Sequence, residues 1–338
     1  MRHKHIDAVK GLGIILVVMG HAYGIPHELY SIIYSFHMPL FFIISGLVYN
    51  EKKNSEIHFF DFLKKKAKSY LLPYYLYSAI NLVIELTWSK FYLREDVTIS
   101  TITNYIKGIL LCRSNIQYMP NCSPIWFFVC LFFASIIIWF IVKYASKIKW
   151  LIGILFMAIG YLLSLYVPAY VPLKLDTVFM AVFFMIVGLF IKNCNKYIEA
   201  AMFICAIPGI YFALKNGGNV SMNENTYGNL FMFLFASISI SLSILFITKK
   251  FNYSNKNCLV WLGQNTIPII GLGYFLREFT TEIYYFIPKI NLIKINWFVS
   301  FIMTFAACVC VVIIKNFIRK KLSGLQASKN QQMTSTAS

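Results

Sequence analysis

Apolar runs of about twenty residues recur along this chain, each closed by a short polar or basic segment. A run of that length crosses a bilayer as one helix, because in lipid every backbone N–H and C=O has to be satisfied within the segment. The pattern predicts spans near 6–23, 32–49, 70–88, 125–142, 150–167, 177–191, 200–214, 230–247, 259–276 and 297–314, ten in all. The first carries Asp7 and Lys10 and is fully apolar only from Gly11 to Gly20. Those charges are misplaced for a signal peptide, and no small-residue cleavage site follows Gly20. The loop 89–124 is long enough for an amphipathic surface helix near 102–111. The predicted architecture is all-α: a polytopic helical bundle over residues 1–322, followed by a polar tail, 323–338, without regular structure.

Composition agrees. The hydrophobic fraction is 59% and the charged fraction 13%, against about 25% charged in soluble domains. A net charge of +18 would suggest a nucleic-acid partner in a soluble chain, but here the lysines and arginines concentrate in short loops. Alternate sides of the predicted bundle carry 22 and 9 of the 31 basic residues. That bias is topology and not a nucleic-acid footprint: it puts both termini in the cytoplasm and the loops 24–31, 89–124 and 277–296 outside. No internal repeat argues for a transporter. Four of the eight cysteines fall in spans, and Cys194 and Cys258 fall in cytoplasmic loops. Cys112 and Cys122 share an outer loop, where the compartment permits a bridge.

Two of the six histidines, His21 and His37, lie inside the first two spans, and none lies beyond His58. An ionisable group in hydrocarbon is costly and marks a functional site by default, so any histidine chemistry sits at the N-terminal end. Lys10 and His21 are eleven residues apart, a rise of roughly 16 Å. Lys10 then marks the inner boundary, and His21 lies toward the outer one. The second span runs inward, so His37 reaches a similar depth in the outer half. Each histidine also has a bland reading. His21 can be a helix-end side chain bonded to a carbonyl, and His37 can satisfy backbone groups freed by Pro39. On the inner side, Lys64-Lys-Lys-Ala-Lys68 leads into the third span. It reads either as lysines snorkelling to anionic lipid or as a seat for a polyanionic ligand such as a coenzyme phosphate.

Asp7-Ala-Val-Lys-Gly11, Val17-Val-Met-Gly-His21 and Phe36-His-Met-Pro-Leu-Phe-Phe with Ile44-Ser-Gly46 resemble the opening of the acyltransferase 3 family of membrane acyltransferases. Within it the chain is most similar to the fucose 4-O-acetylase-like branch. Thinner similarity continues through Lys65-Lys-Ala-Lys68, Ser123-Pro-Ile-Trp-Phe127, Leu175-Asp176 and Gly263-Gln-Asn-Thr266. The resemblance implies a multi-pass enzyme of the bacterial inner (cytoplasmic) membrane that takes an acetyl group from cytoplasmic acetyl-CoA. It delivers that group to a sugar hydroxyl of a cell-surface or exported polysaccharide. Membrane lipid and a carbohydrate acceptor are its partners, with no nucleic acid and no metal. Coenzyme contacts are implied at Lys10, Lys65 and Lys68, where relatives usually carry arginine; lysine keeps the charge but loses the bidentate fork. A histidine that many relatives carry in the ninth helix is absent, with Gly271-Leu-Gly-Tyr274 in its place.

A sugar hydroxyl is a poor nucleophile near neutral pH, so a neutral imidazole has to take its proton as the oxygen attacks the thioester carbonyl. The expected base is His21, with His37 orienting the acceptor or stabilising the developing charge. Direct transfer and an acetyl-histidine intermediate both stay open. Asp7 is too far along the helix to orient His21. Asp176, near the outer start of the sixth span, is placed to touch the acceptor or a histidine, and Trp126 to touch the acceptor. The competing class is a polysaccharide or lipid-linked sugar transporter or flippase without acyl transfer. It predicts paired charges spread over both halves, whereas the titratable groups inside these spans cluster toward the N-terminus.

Overall fold

The computed structural model describes residues 4–335 apart from 95, 114–116, 120–122, 168–170, 193, 195, 218–219, 255 and 288–292. Cys122, the partner considered for Cys112, lies outside the described residues. Among the described residues there are fourteen α-helices and no β-strand. In chain order they are α1 (Lys4–Gly20), α2 (His27–Leu47), α3 (Glu51–Glu56), α4 (Phe59–Lys66), α5 (Leu72–Trp88), α6 (Ile99–Leu111) and α7 (Trp126–Tyr144). Then come α8 (Lys149–Tyr166), α9 (Leu175–Ile191), α10 (Lys196–Asn216), α11 (Leu230–Lys249), α12 (Cys258–Gln264), α13 (Thr266–Phe286) and α14 (Trp297–Ser335).

The all-α membrane bundle expected from the sequence is the fold, and each predicted span coincides with helix. Among the described residues six helices are long and apolar enough to cross a bilayer, and the pair α12–α13 makes a seventh if it is one span. α2 packs against α1, α9 and α11, and α7 against α9, which gathers the buried core around the two histidine-bearing helices. α8 stands at the rim and exposes Leu151, Ile154, Leu155 and Leu162, the surface a helix offers to lipid when it is apolar all round. The surface helix expected in the loop after the third span is α6. It begins earlier than expected, at a Thr98 cap whose hydroxyl accepts from the Thr101 N–H at 3.2 Å, and leaves Ile99 and Leu110 exposed.

Three features differ from the expectation. The tail expected to lack regular structure continues α14 as helix through Ser335; Leu325, Gln326, Ala327, Lys329, Gln331 and Gln332 are good helix formers. The third span is entered through a π-helical turn, Ala67–Leu71, between α4 and α5. The ninth span, expected as one rod, bends by 84° at Asn265 between α12 and α13. Asn265 takes a non-helical conformation (φ −121°, ψ 27°). Its side chain donates to the Trp261 carbonyl at 2.8 Å and accepts from Asn316 at 3.3 Å, which stabilises the corner. Such a break is tolerated at membrane depth only where it is buried in protein or lines a cavity open to water, and Gly263, Gln264 and Thr266 line a cavity.

Two contacts fix the histidine-bearing helices. α12 lies so close along α1 that a Cβ on Gly263 would fall on the Asp7 carbonyl oxygen, and one on Gly11 on the Leu259 carbonyl oxygen. In α2, Pro39 has no N–H to give to the Ser35 carbonyl one turn back. That oxygen instead accepts from the Ser237 hydroxyl of α11 at 2.6 Å. Ser237→Ala leaves it unpaired in a buried setting and is expected to destabilise the fold by about 1–2 kcal/mol. Thermal unfolding in detergent checks this, and an unchanged midpoint would mean that the oxygen finds another donor.

Candidate functional site

The two histidines meet in a cavity of about 330 Å³ near the outer end of the bundle, opposite the lysine-rich end. His21 follows the last turn of α1, and its Nδ1 lies 3.2 Å from the Tyr34 hydroxyl. Tyr34 also stands edge-on to His37, with ring centroids 4.9 Å apart, and stacks on Tyr30 at 3.9 Å. Tyr30, Tyr34 and His37 share one face of α2 because they are spaced by four and three residues. His37 Nδ1 is 2.7 Å from the Ile33 carbonyl oxygen. A carbonyl can only accept, so in the neutral ring Nδ1 carries the hydrogen and Nε2 keeps the lone pair. The bland reading of His37 fails on the same geometry, because the carbonyl freed by Pro39 is satisfied by Ser237 and not by the imidazole.

The far wall comes from α13, where span prediction stopped one residue short. Arg277 donates through Nη1 to the His21 carbonyl at 3.1 Å and pairs with Glu278. Its guanidinium lies over the rings of Tyr274 (3.9 Å) and Tyr23 (4.4 Å). Tyr23 donates its hydroxyl to Glu278 and its backbone N–H to Ser300 at 3.2 Å, so the chain just after α1 is tied to both α13 and α14. Tyr274 occupies the region where relatives were expected to carry a histidine, with its ring 5.8 Å from that of His21. Arg277, Tyr34 and Tyr30 are functional candidates that sequence reasoning missed. The available signal was a lone arginine that continues the apolar periodicity of the ninth span.

Trp126 lines the outer cavity. Asp176 does not face it. It is buried at the start of α9, behind a turn, Ser221 to Thr226, whose Ser221, Asn223 and Glu224 do line the cavity. Lys174 Nζ donates to the Asn223 carbonyl at 2.5 Å and Thr177 to the Met222 carbonyl at 2.9 Å, which pins that turn.

A second cavity, of about 440 Å³, opens at the lysine-rich end. Lys10, Lys53, Lys65 and Lys66 line it, with Tyr49, Tyr70 and the corner residues Gly263, Gln264 and Thr266. Lys68 is exposed and is not among its lining residues. Asp7 sits at this end too and accepts from Gln264 at 3.3 Å, far from His21 as expected. A larger space of about 780 Å³ adjoins, sharing Lys10, Tyr49 and Asn50 and adding His5, Lys192 and Lys249. Between the inner and outer cavities stands an aromatic septum. Phe127 packs against Phe41 and Phe42 at centroid distances of 5.8 and 5.1 Å. Phe41 and Phe127 face the inner cavity, while Met38 and Trp126 face the outer one. On α2 only one turn separates His37 from Phe41, so the septum is thin. Among the described residues no three His, Cys, Asp or Glu side chains gather as a metal-binding group.

Comparison with known proteins adds one finding: a family model described as an acyltransferase domain matches residues 3–316. No curated protein and no solved structure matches the chain.

Proposed function

Because the chain belongs to this acyltransferase family over nearly its whole length, we propose that it is an O-acetyltransferase. In this reading it moves an acetyl group from acetyl-CoA to a sugar hydroxyl of a cell-surface or exported polysaccharide. Membership makes it a membrane acyltransferase, and the transporter considered from sequence gives way to that. The single observation that supports the finer reading is the pair of cavities on either side of the Phe41–Phe127 septum, one lined by lysines and the other by two imidazoles. The four lysines suit the phosphates of the coenzyme. The N-terminus of α13, a 21-residue helix, opens beside them at Thr266 and adds favourable field for anions. The outer cavity suits a sugar: Tyr30, Tyr34, Trp126 and Tyr274 offer ring faces, and Ser221, Asn223 and Glu224 offer polar partners. In the basic-residue orientation, the donor side is the cytoplasm of a bacterial cell and the acceptor side is the far face of its inner membrane.

The geometry favours roles for the histidines opposite to those expected from sequence. With Nδ1 donating to the Ile33 carbonyl, His37 Nε2 is the lone pair available to take the proton of the attacking hydroxyl. Tyr34 lies 3.2 Å from His21 Nδ1; in this reading its hydroxyl is the donor there, which leaves the hydrogen of that ring on Nε2 to meet the oxygen that becomes negative in the tetrahedral intermediate. Arg277 holds the His21 carbonyl and so fixes where that imidazole stands. Collapse of the intermediate breaks the C–S bond with its electron pair on sulfur, and the proton taken from the sugar hydroxyl ends there, leaving the coenzyme as thiol.

The test is the acetyl content of surface polysaccharide, read by NMR in cells with the gene, without it, and with the gene restored. Loss and recovery of O-acetyl signals is the expected result. Full acetylation without the gene would overturn the assignment.

A further inference from the structure

The inner cavity holds a lysine that the expected coenzyme contacts, Lys65 and Lys68, pass over. Lys66 ends α4, ahead of the third predicted span, and is half-buried while Lys64, Lys65 and Lys68 are exposed. Its ammonium lies over the rings of Tyr70, Phe62 and Tyr49 at 5.2, 5.5 and 5.9 Å, and it donates to the Tyr70 hydroxyl at 3.5 Å. The charged groups around it are the cations Lys10, Lys53 and Lys65; no carboxylate is among the described residues lining the cavity. Of the acidic groups on neighbouring elements, Glu51 of α3 is paired with Lys149 at 2.7 Å, and Asp61, on α4 itself, is exposed. Burial among aromatic rings with no counter-charge pushes the Lys66 ammonium down to about 8. Near pH 7.5 about a quarter of such side chains are unprotonated, against about one in a thousand for an ordinary lysine.

We propose that Lys66 is an acetylation site of the protein itself, modified by the thioester donor that occupies the inner cavity. The proposal rests on the reading that this cavity holds acetyl-CoA. The unprotonated Nζ attacks the thioester carbonyl carbon, a C–N bond forms, and the C–S bond breaks with its electron pair on sulfur. The proton displaced from nitrogen ends on that sulfur, so acetyl-CoA and a lysine amine give an acetyl-lysine amide and CoA. The product is neutral and no longer a donor of charge-assisted hydrogen bonds. A cavity whose attraction for phosphate depends on its lysines is thereby weakened, so abundant donor restrains its own binding.

Purified full-length protein in detergent is incubated with isotope-labelled acetyl-CoA, digested, and mapped by mass spectrometry. Label at Lys66 is expected to exceed that at Lys64, Lys65 and Lys68 about tenfold, since lower basicity costs some nucleophilicity and offsets part of the larger unprotonated fraction. Excess unlabelled CoA should suppress it. Labelling of Lys66 should rise with pH up to about 8 and then level off, whereas an ordinary lysine keeps gaining about tenfold per pH unit there. CoA binding is measured by calorimetry on the same preparation. Binding with Lys66 no more labelled than its exposed neighbours overturns the proposal alone. Absence of binding overturns the donor-site reading and the proposal with it.

Discussion

Membranes carrying His37→Ala are expected to transfer acetyl groups about 10²–10⁴-fold more slowly than the parent, with the protein still inserted and extractable. The argument rests on which nitrogen holds the hydrogen. Nδ1 is committed to the Ile33 carbonyl of its own helix at 2.7 Å, so Nε2 is the basic nitrogen left to the cavity. His37→Asn separates chemistry from architecture, because an asparagine amide can still donate to that carbonyl but supplies no base. Both variants should be equally slow. Near-normal transfer by His37→Asn would reduce His37 to a structural residue and return the base to His21.

Gly263→Ala should be among the most damaging single-carbon changes in the chain. A Cβ there would fall on the Asp7 carbonyl oxygen, a backbone atom in the middle of a helical turn that no rotamer change can move aside. α12 has to retreat from α1, at a cost at or above the upper end of the 1–3 kcal/mol typical of overpacking. Since α1 carries Lys10 and leads into His21, activity should fall with stability. Gly273→Ala is the matched control: its nearest neighbour would be Cys308 Sγ at 3.7 Å, so the new methyl gains ordinary contact, and helix propensity improves by up to about 1 kcal/mol. Unfolding midpoints in detergent decide the matter, and equal effects of the two substitutions would remove the close approach as the cause.

The membrane-spanning helices were legible because hydrophobic length is written directly in composition, and the family opening made His21, His37 and Lys10 stand out. What the sequence did not carry is rotation about each helix axis. Lys65 and Lys68 are three apart and read as one face, but the π-helical turn Ala67–Leu71 begins between them, and of the run 64–68 Lys65 and Lys66 line the cavity while Lys68 does not. Asp176, on α9, is not among the residues lining the cavity that holds the two histidines. In helices apolar all round, such as α9, periodicity gives no signal for which side faces inward. The corner at Asn265 was hidden for another reason. Gly263-Gln-Asn-Thr266 itself carries no proline, but Pro268 just beyond it has no N–H to give to the carbonyl of Gln264, where α12 ends; hydropathy averaged over a span passes over that break, and the close seat of α12 on α1 adds a tertiary cause.

The bond from Ser237 to the Ser35 carbonyl has a mechanical consequence. In an unbroken helix the rungs that carry stiffness from one turn to the next belong to that helix alone. At Pro39 one rung is missing, and the load passes sideways into α11. His37 and Phe41 stand on either side of this joint, one in the outer cavity and one in the septum. The alignment of imidazole with partition is therefore a property of two helices pressed together, and substitutions on α11, far in sequence from either residue, act directly on it.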